Sequence, residues 1–244
     1  MAEIIRKILF KFLIKKSNRR RDKFVEEWIQ SLKSGSSLLD AGAGFQRYKK
    51  YADHLNYVSQ DFGMYEGGEI SAGVKVSEWN SKQCDIICDI TNIPRDDSSF
   101  DYIMCNEVFE HIPNPQLALK ELARLLKTGG KILITAPFRC HSHQEPYFFY
   151  TGFSEQWYRY FAKENNLEIM KICQSGNYFM ELAEELIYFF SSSNFFHQIF
   201  FTFLLLPFIL FLFIFSRIYS ITKNPFLKKS SDGFFVVLKK NKIN

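Results

Sequence analysis

Cysteine is scarce in this 244-residue chain, and its five copies (Cys84, Cys88, Cys105, Cys140, Cys173) are odd in number and lack the short spacing of a disulfide scaffold. That argues against a small cross-linked secreted domain. No cleavable leader is expected, because the apolar stretch near the N-terminus is broken by Lys11 and is followed by no small-residue cleavage site, and a reducing, cytoplasmic compartment is expected with it. No internal repeat and no low-complexity tract is present. Charge of one sign is in slight excess, 31 Lys and Arg against 26 Asp and Glu, but the excess is uneven. Residues 1–24 hold nine basic side chains and two acidic ones. An anionic partner would be met there.

Apolar residues are abundant at 47%, enough for one α/β domain with additions. In the N-terminal arm, Ile4, Ile5, Ile8, Leu9, Phe12 and Leu13 recur at helical spacing while Lys7, Lys11 and Lys15 follow another face. This basic amphipathic helix, with Arg19, Arg20 and Arg21 after it, either packs on the domain or attaches to an anionic membrane surface. No nucleic-acid partner is expected, because isoleucine and phenylalanine are poor residues to leave facing phosphates.

From residue 24 onward, strand and helix alternate. A helix with Phe24, Val25, Trp28, Ile29 and Leu32 on one side leads to the apolar strands "SLLDAG", "LNYVSQD", "CDIICDI" and "FDYIMCN". "PQLALKELARLLKTGG" reads as a helix ended by glycine, before the strand "KILITAP". Then "SEQWYRYFAKENN" reads as a helix, "LEIMKIC" as a strand, "NYFMELAEELIYFF" as a helix and "GFFVVLKK" as a closing strand. Such alternation predicts a mostly parallel sheet with helices on both faces.

The segment "SLLDAGAGFQRY" carries the most chemistry. An apolar strand ends at Asp40 and runs into Gly42 and Gly44, which let backbone approach a ligand at the carboxyl edge of the sheet. A dinucleotide fingerprint would need another glycine where Arg47 stands, so nicotinamide and flavin cofactors are disfavoured. Asp61 ends the second strand, where a carboxylate can accept from a ribose diol, and Asp89 ends the third, where it could accept from an exocyclic amine beside the backbone of Ile90. Taken one at a time, Asp40 and Asp89 could equally be caps, and the glycines plain turns.

Together, "LLDAGAG", "YVSQDF", "CDITNIP" and "SSFDYIMCNEVFEHIPNPQLALKELARLLKTGGKILITAPF" resemble a class I S-adenosylmethionine-dependent methyltransferase of the type 11 domain family, over nearly the whole chain from about Phe24. The resemblance implies a Rossmann-like seven-stranded sheet whose last strand is antiparallel, with S-adenosyl-L-methionine as cofactor. It implies that Asp40, Gly42 and Gly44 border the methionine part, Asp61 holds the ribose, Asp89 with Ile90 holds the adenine, and Asn106 with Glu107 lines the sulfonium side. Where the family often has one more glycine, this chain has Gln46.

Methyl transfer from a sulfonium is an in-line displacement, so alignment is the enzyme's main task and no metal is expected. A hydroxyl acceptor adds the need for a base. His111 and His143 are the candidates, with the aromatics of "PYFFYTGFS" as a lid or pocket wall. Cys140, His141 and His143 lie close in sequence, yet no partner pair completes a zinc set.

The apolar run "NFFHQIFFTFLLLPFILFLFIFSR", residues 194–217, is long enough on paper to cross a bilayer. The resemblance places it between the sixth and seventh strands, where a single crossing would part the seventh strand from its sheet. Pro207 near its middle can break the helix. The expected organisation is a basic arm at 1–22, a methyltransferase core at 23–176, an apolar helical insertion at 177–230 that docks monotopically as a hairpin, and a closing strand at 231–244. A buried helix or a dimer interface is the other use for such a run. The expected function is methylation of a glycan, lipid-linked or quinone-like acceptor at the cytoplasmic face of a membrane. The alternatives are a methyltransferase of a soluble small molecule and a non-catalytic cofactor-binding scaffold or sensor.

Overall fold

The computed structural model describes residues 19–65, 68–71, 74–76, 81–191, 207–212, 214–216 and 232–242. The amphipathic stretch 4–15 and most of the apolar run lie outside the described residues. The chain divides into two compact units, one of residues 23–173 and 233–244, the other of residues 1–22 and 174–232.

The larger unit is organised by nine strands: β1 (Ser37–Ala41), β2 (Asn56–Asp61), β3 (Gly68–Ser71), β4 (Val74–Val76), β5 (Ile86–Ile87), β6 (Phe100–Asn106), β7 (Leu126–Pro137), β8 (Leu167–Gln174) and β9 (Gly233–Lys240). Seven form one sheet in the order β5-β2-β1-β6-β7-β9-β8. β1 pairs parallel to β2 and β6, β2 to β5, and β6 to β7, whereas β9 runs antiparallel to β7. This is the expected sheet, with the closing strand inserted beside the fifth. The small antiparallel pair β3–β4 is an addition that alternation alone did not indicate.

Side chains on β1 alternate across the sheet, and each face is covered. Leu38, Met104, Leu133 and Val237 bury against Val25, Trp28 and Ile29 of the helix α1, whose described part covers residues 19–30, and against Leu32 just after it. Leu39, Ala41, Ile103, Ile132, Ile134 and Val236 bury on the other face with Ala118, Leu119 and Leu122 of α2 (Pro115–Leu125) and Tyr158 and Ala162 of α3 (Glu155–Glu164). Each fully buried aliphatic side chain contributes about 1.5–3 kcal/mol. These two layers fix the strand register.

One boundary differs from expectation. α2 ends at Leu125, not at the glycines, and Leu126 is already extended and pairs with Phe100. Leu126 is fully buried on the ladder beside Phe100, so strand pairing takes over where the helix stops. Gly129 and Gly130 instead absorb the register shift between β6 and β7, and a Cβ at Gly130 would lie 2.6 Å from the Asp101 carbonyl.

In the smaller unit, α4 (Tyr178–Ser191) and the helical residues 207–216, of which 213 is not described, share a small cluster of Ala183, Ile209 and Leu212. Phe208, Leu210, Phe211 and Ile214 are exposed. Among the described residues no helix is long and apolar enough to cross a membrane.

Candidate active site

Strand register brings the expected residues to one edge. Asp40 stands level with Ser59 of β2 and Met104 of β6, and Asp61 with Ile87 of β5, so the carboxyl ends of β1, β2, β5 and β6 open together. Just beyond them the chain turns sharply. Gly42 has φ +73°, and a Cβ there would lie 2.4 Å from the Val108 side chain, so only glycine lets the β1 and β6 loops meet.

Asp61 is held by the loops around it. Its Oδ2 accepts the Gly44 N–H at 2.9 Å and its Oδ1 accepts the Gly63 N–H at 2.9 Å. A carboxylate has about four acceptor sites, so capacity for a diol remains. Gln60 fixes the same turn, with its backbone carbonyl accepting both the Gly42 and Ala43 N–H at 2.8 Å and its side chain donating to the Cys88 carbonyl at 2.8 Å.

Asp40 is almost wholly buried, and Tyr57 donates to its Oδ2 at 2.6 Å. Burial pushes its pKa up to about 7, against the pull of the Tyr57 hydrogen bond and with help from the nearby Asp61 charge. Tyr57 is pushed well up in turn, first by burial and then by Asp40. Neither Tyr57 nor Gln60 was singled out in the sequence. The only signal there was a strand, NYVSQD, with more polar side chains than a buried parallel strand usually has.

Asn106 ends β6, and neither atom of its buried amide has a hydrogen-bond partner among the described residues. Glu107 follows at φ +53°, its N–H on the Thr135 carbonyl at 2.8 Å and its Oε1 accepting from Thr135 Oγ1 at 3.0 Å. Asp89 is exposed, with Oδ1 accepting from the N–H and hydroxyl of Thr91, both at 2.8 Å, while Ile90 beside it is buried. A glycine cradle, a carboxylate at the second strand and a buried amide awaiting a partner fit a nucleoside carrying an amino-acid tail.

The two candidate histidines come together. Their ring centroids are 4.8 Å apart, edge to face. His111 Nδ1 meets the Tyr147 carbonyl at 2.5 Å and His143 Nδ1 meets the His141 carbonyl at 2.8 Å. A carbonyl can only accept, so each Nδ1 carries a proton, and the lone pair of the neutral ring is on Nε2. Burial pushes the His111 pKa down to about 4, the Tyr147 carbonyl pulling the other way, so the ring is neutral at pH 7. The loop carrying His143 is pinned where the Phe149 and Tyr150 N–H groups donate to the Glu110 carbonyl at 2.9 and 3.2 Å. Tyr147 packs edge-on against Phe62 at 4.9 Å and Tyr65 at 6.5 Å, closing an aromatic wall beside Asp61. Glu110, buried next to His111, is a further member that the sequence reading passed over.

The profile of the methyltransferase-domain family matches residues 39–134, the span from β1 through β7 that builds this edge. Residues 39–134 thus match the S-adenosylmethionine-dependent methyltransferase domain. S-adenosylmethionine is the cofactor of the family, and the cradle described above suits it. The methyltransferase domain is 31% identical over 114 residues to human "Probable tRNA methyltransferase 9B", a match covering 45% of this chain and 23% of that one. It is 31% identical over 122 residues to the ubiquinone biosynthesis O-methyltransferase of Coxiella burnetii, covering 48% of this chain and 50% of that one. The chain thus spans between about a quarter and half the length of these curated relatives. In fold it resembles a Bacillus halodurans protein assigned to the methyltransferases, with TM-score 0.55 and 15% identity, over 91% of this chain and all of that one.

Proposed function

We propose that this chain transfers a methyl group from S-adenosylmethionine to a hydroxyl of a ring-bearing, lipid-linked or quinone-like acceptor at the surface of a membrane. The observation that carries the reading is the pair of imidazole lone pairs on His111 and His143 beside the cofactor edge. When bound, the cofactor supplies an electrophilic methyl carbon. Asp61 and the Gly44 turn orient it, the Asn106 amide satisfies its own buried donors and acceptor on it, and Gly42 lets Val108 close against the turn. An imidazole Nε2 would accept the hydrogen bond of the acceptor hydroxyl and take its proton as the oxygen bonds to the methyl carbon in line with the breaking carbon–sulfur bond, with S-adenosylhomocysteine as the leaving group. Phe62, Tyr65 and Tyr147 offer edges and faces to a planar acceptor and keep water from the reacting atoms.

Two observations favour an acceptor in a bilayer. Phe208, Leu210, Phe211 and Ile214 present an apolar patch, and the arm at 1–22 is basic, the combination that binds anionic lipid surfaces. The name of the Coxiella burnetii relative, a ubiquinone biosynthesis O-methyltransferase, points to the same acceptor class.

Calorimetry on the full chain should give one S-adenosylmethionine per protein, with Asp61→Ala weakening it by roughly 100-fold, since two charge-assisted loop bonds and the ribose contact go together. No binding by the unaltered chain ends the reading. Incubating isolated membranes with isotope-labelled cofactor should put label into an extractable lipid. Label confined to the soluble fraction would remove the membrane acceptor and leave the transfer.

A further inference from the structure

We propose that Glu110, His111 and His143 form a binding site for a divalent metal ion of the zinc class, on the acceptor side of the methyltransferase edge. Each of the three can offer one ligand atom, and these atoms all lie within 4.8 Å of one another. His111 Nε2 stands 3.8 Å from Glu110 Oε1. Around a tetrahedral ion with bonds of about 2 Å, neighbouring ligand atoms are about 3.3 Å apart. A small rotation of His143, which is half-buried on its loop, closes the set.

The outer contacts are those a metal site needs. A metal-binding imidazole gives its other ring N–H to a carbonyl or carboxylate, which fixes the tautomer and aims the lone pair. Both rings do this here, on the Tyr147 and His141 carbonyls, so both lone pairs are presented as ligands before any ion arrives. Glu110 is held by its own backbone carbonyl to Phe149 and Tyr150, and Tyr150 donates its hydroxyl to the Pro113 carbonyl at 2.9 Å, so carboxylate and His143 loop move as one piece. Tyr158, fully buried near Glu110, has a hydroxyl with no hydrogen-bond partner among the described residues, an independent sign that this corner takes a polar ligand.

Two imidazoles and one carboxylate make the donor set that binds zinc with a position left open. Hard cations such as magnesium prefer oxygen ligands alone. Cys140 and His141, which are next to His143 in sequence, do not join the set, so the ligands come from two separated segments. With an ion bound, the two Nε2 lone pairs would be its ligands and not bases, and the ion's open position would take the acceptor hydroxyl and ease loss of its proton in their place; this role rests on the methyl-transfer reading above, whereas the ion site itself does not.

The test is titration of the metal-stripped full chain with Co2+, following its visible absorption, and with Zn2+ in competition. The expected result is one ion per chain in a low-symmetry site with strong visible bands. His143→Ala, on a half-buried loop, should weaken Co2+ at least tenfold, and Glu110→Gln should do the same while keeping side-chain volume. S-adenosylmethionine calorimetry on the same samples reports folding and the cofactor edge independently. Cofactor binding without Co2+ binding, or Co2+ binding that His143→Ala leaves unchanged, overturns the ion site while the transfer reading stands.

Discussion

The two ends of one parallel sheet treat their carboxylates in opposite ways. At the amino edge, Asp101 takes the Ser37 N–H at 2.9 Å and hydroxyl at 2.8 Å and the Lys127 ammonium at 2.9 Å. Although burial works against it, these bonds hold its carboxyl below the usual range. Asp85 is held low chiefly by the Ser59 hydroxyl. Glu121, buried, is likewise held low by Arg124 and the Ile93 N–H against the cost of burial. At the carboxyl edge, Asp40 is pushed up, Asn106 lacks a partner among the described residues, and Gln46 and Glu107 sit at positive φ. At the amino edge these carboxylates are satisfied by the chain itself, although Ser98 at φ +57° and Asn166 at φ +55° show that strained backbone is not confined to one edge. What sets the carboxyl edge apart is a carboxyl pushed up by burial and a buried amide without a partner among the described residues, which a ligand can relieve.

The strongest way to break that contrast is to titrate Asp40. Its folded pKa of about 7 lies above the unfolded value of 3.8. The carboxyl binds its proton more tightly when folded, so its contribution to stability is whole below pH 3.8 and is lost as pH rises through 7. Urea unfolding of the cofactor-free chain should therefore show Asp40→Asn gaining on the unaltered chain between pH 4.5 and 8, by on the order of 3 kcal/mol. Asparagine can still accept from Tyr57. Parallel pH profiles would mean that the buried carboxyl is not held protonated.

Next in size is Glu121→Ala at the amino edge. It leaves the Arg124 guanidinium and the Ile93 N–H without their buried partner, at a cost of about 2–3 kcal/mol in unfolding free energy. Cofactor affinity of the folded chain should not change. A loss of affinity comparable to the loss of stability would show that the two edges are coupled.

How much of this could be read in advance divides along the same line. The strands of the main sheet were legible because apolar runs bounded by polar residues repeat along the chain, and the order of the sheet followed from the resemblance. Asp40, the glycines and Asp61 were legible because each ends a strand. Tyr57, Gln60 and Glu110 were not, because their partners depend on register and on a loop 36 residues away, as when His111 meets Tyr147. The end of α2 differs for a related reason: Gly129 and Gly130 look like a helix stop, but pairing of Leu126 with Phe100, distant in sequence, ends the helix first. The extent of the apolar run falls outside the described residues, so its hairpin stands as a proposal.

The smallest effect gives the sharpest comparison, because two glycines with the same backbone sit at opposite edges. Gly35, ahead of β1, has φ +78° and Gly63, after β2, has φ +74°. Alanine in that region costs about 1–2 kcal/mol whatever surrounds it. A Cβ at Gly35 meets nothing within 4 Å, while one at Gly63 lies 2.9 Å from Cγ2 of Ile87, the branch methyl that χ1 holds close to the backbone. Both substitutions should therefore lose stability in urea unfolding, with Gly63→Ala the worse. They should part in calorimetry: Gly35→Ala binds S-adenosylmethionine as the unaltered chain does, and Gly63→Ala binds several-fold more weakly, because the turn must shift to clear Ile87 and carries with it the N–H that holds Asp61 Oδ1. Equal affinities would mean that the turn takes the added methyl without moving the Gly63 N–H off Asp61.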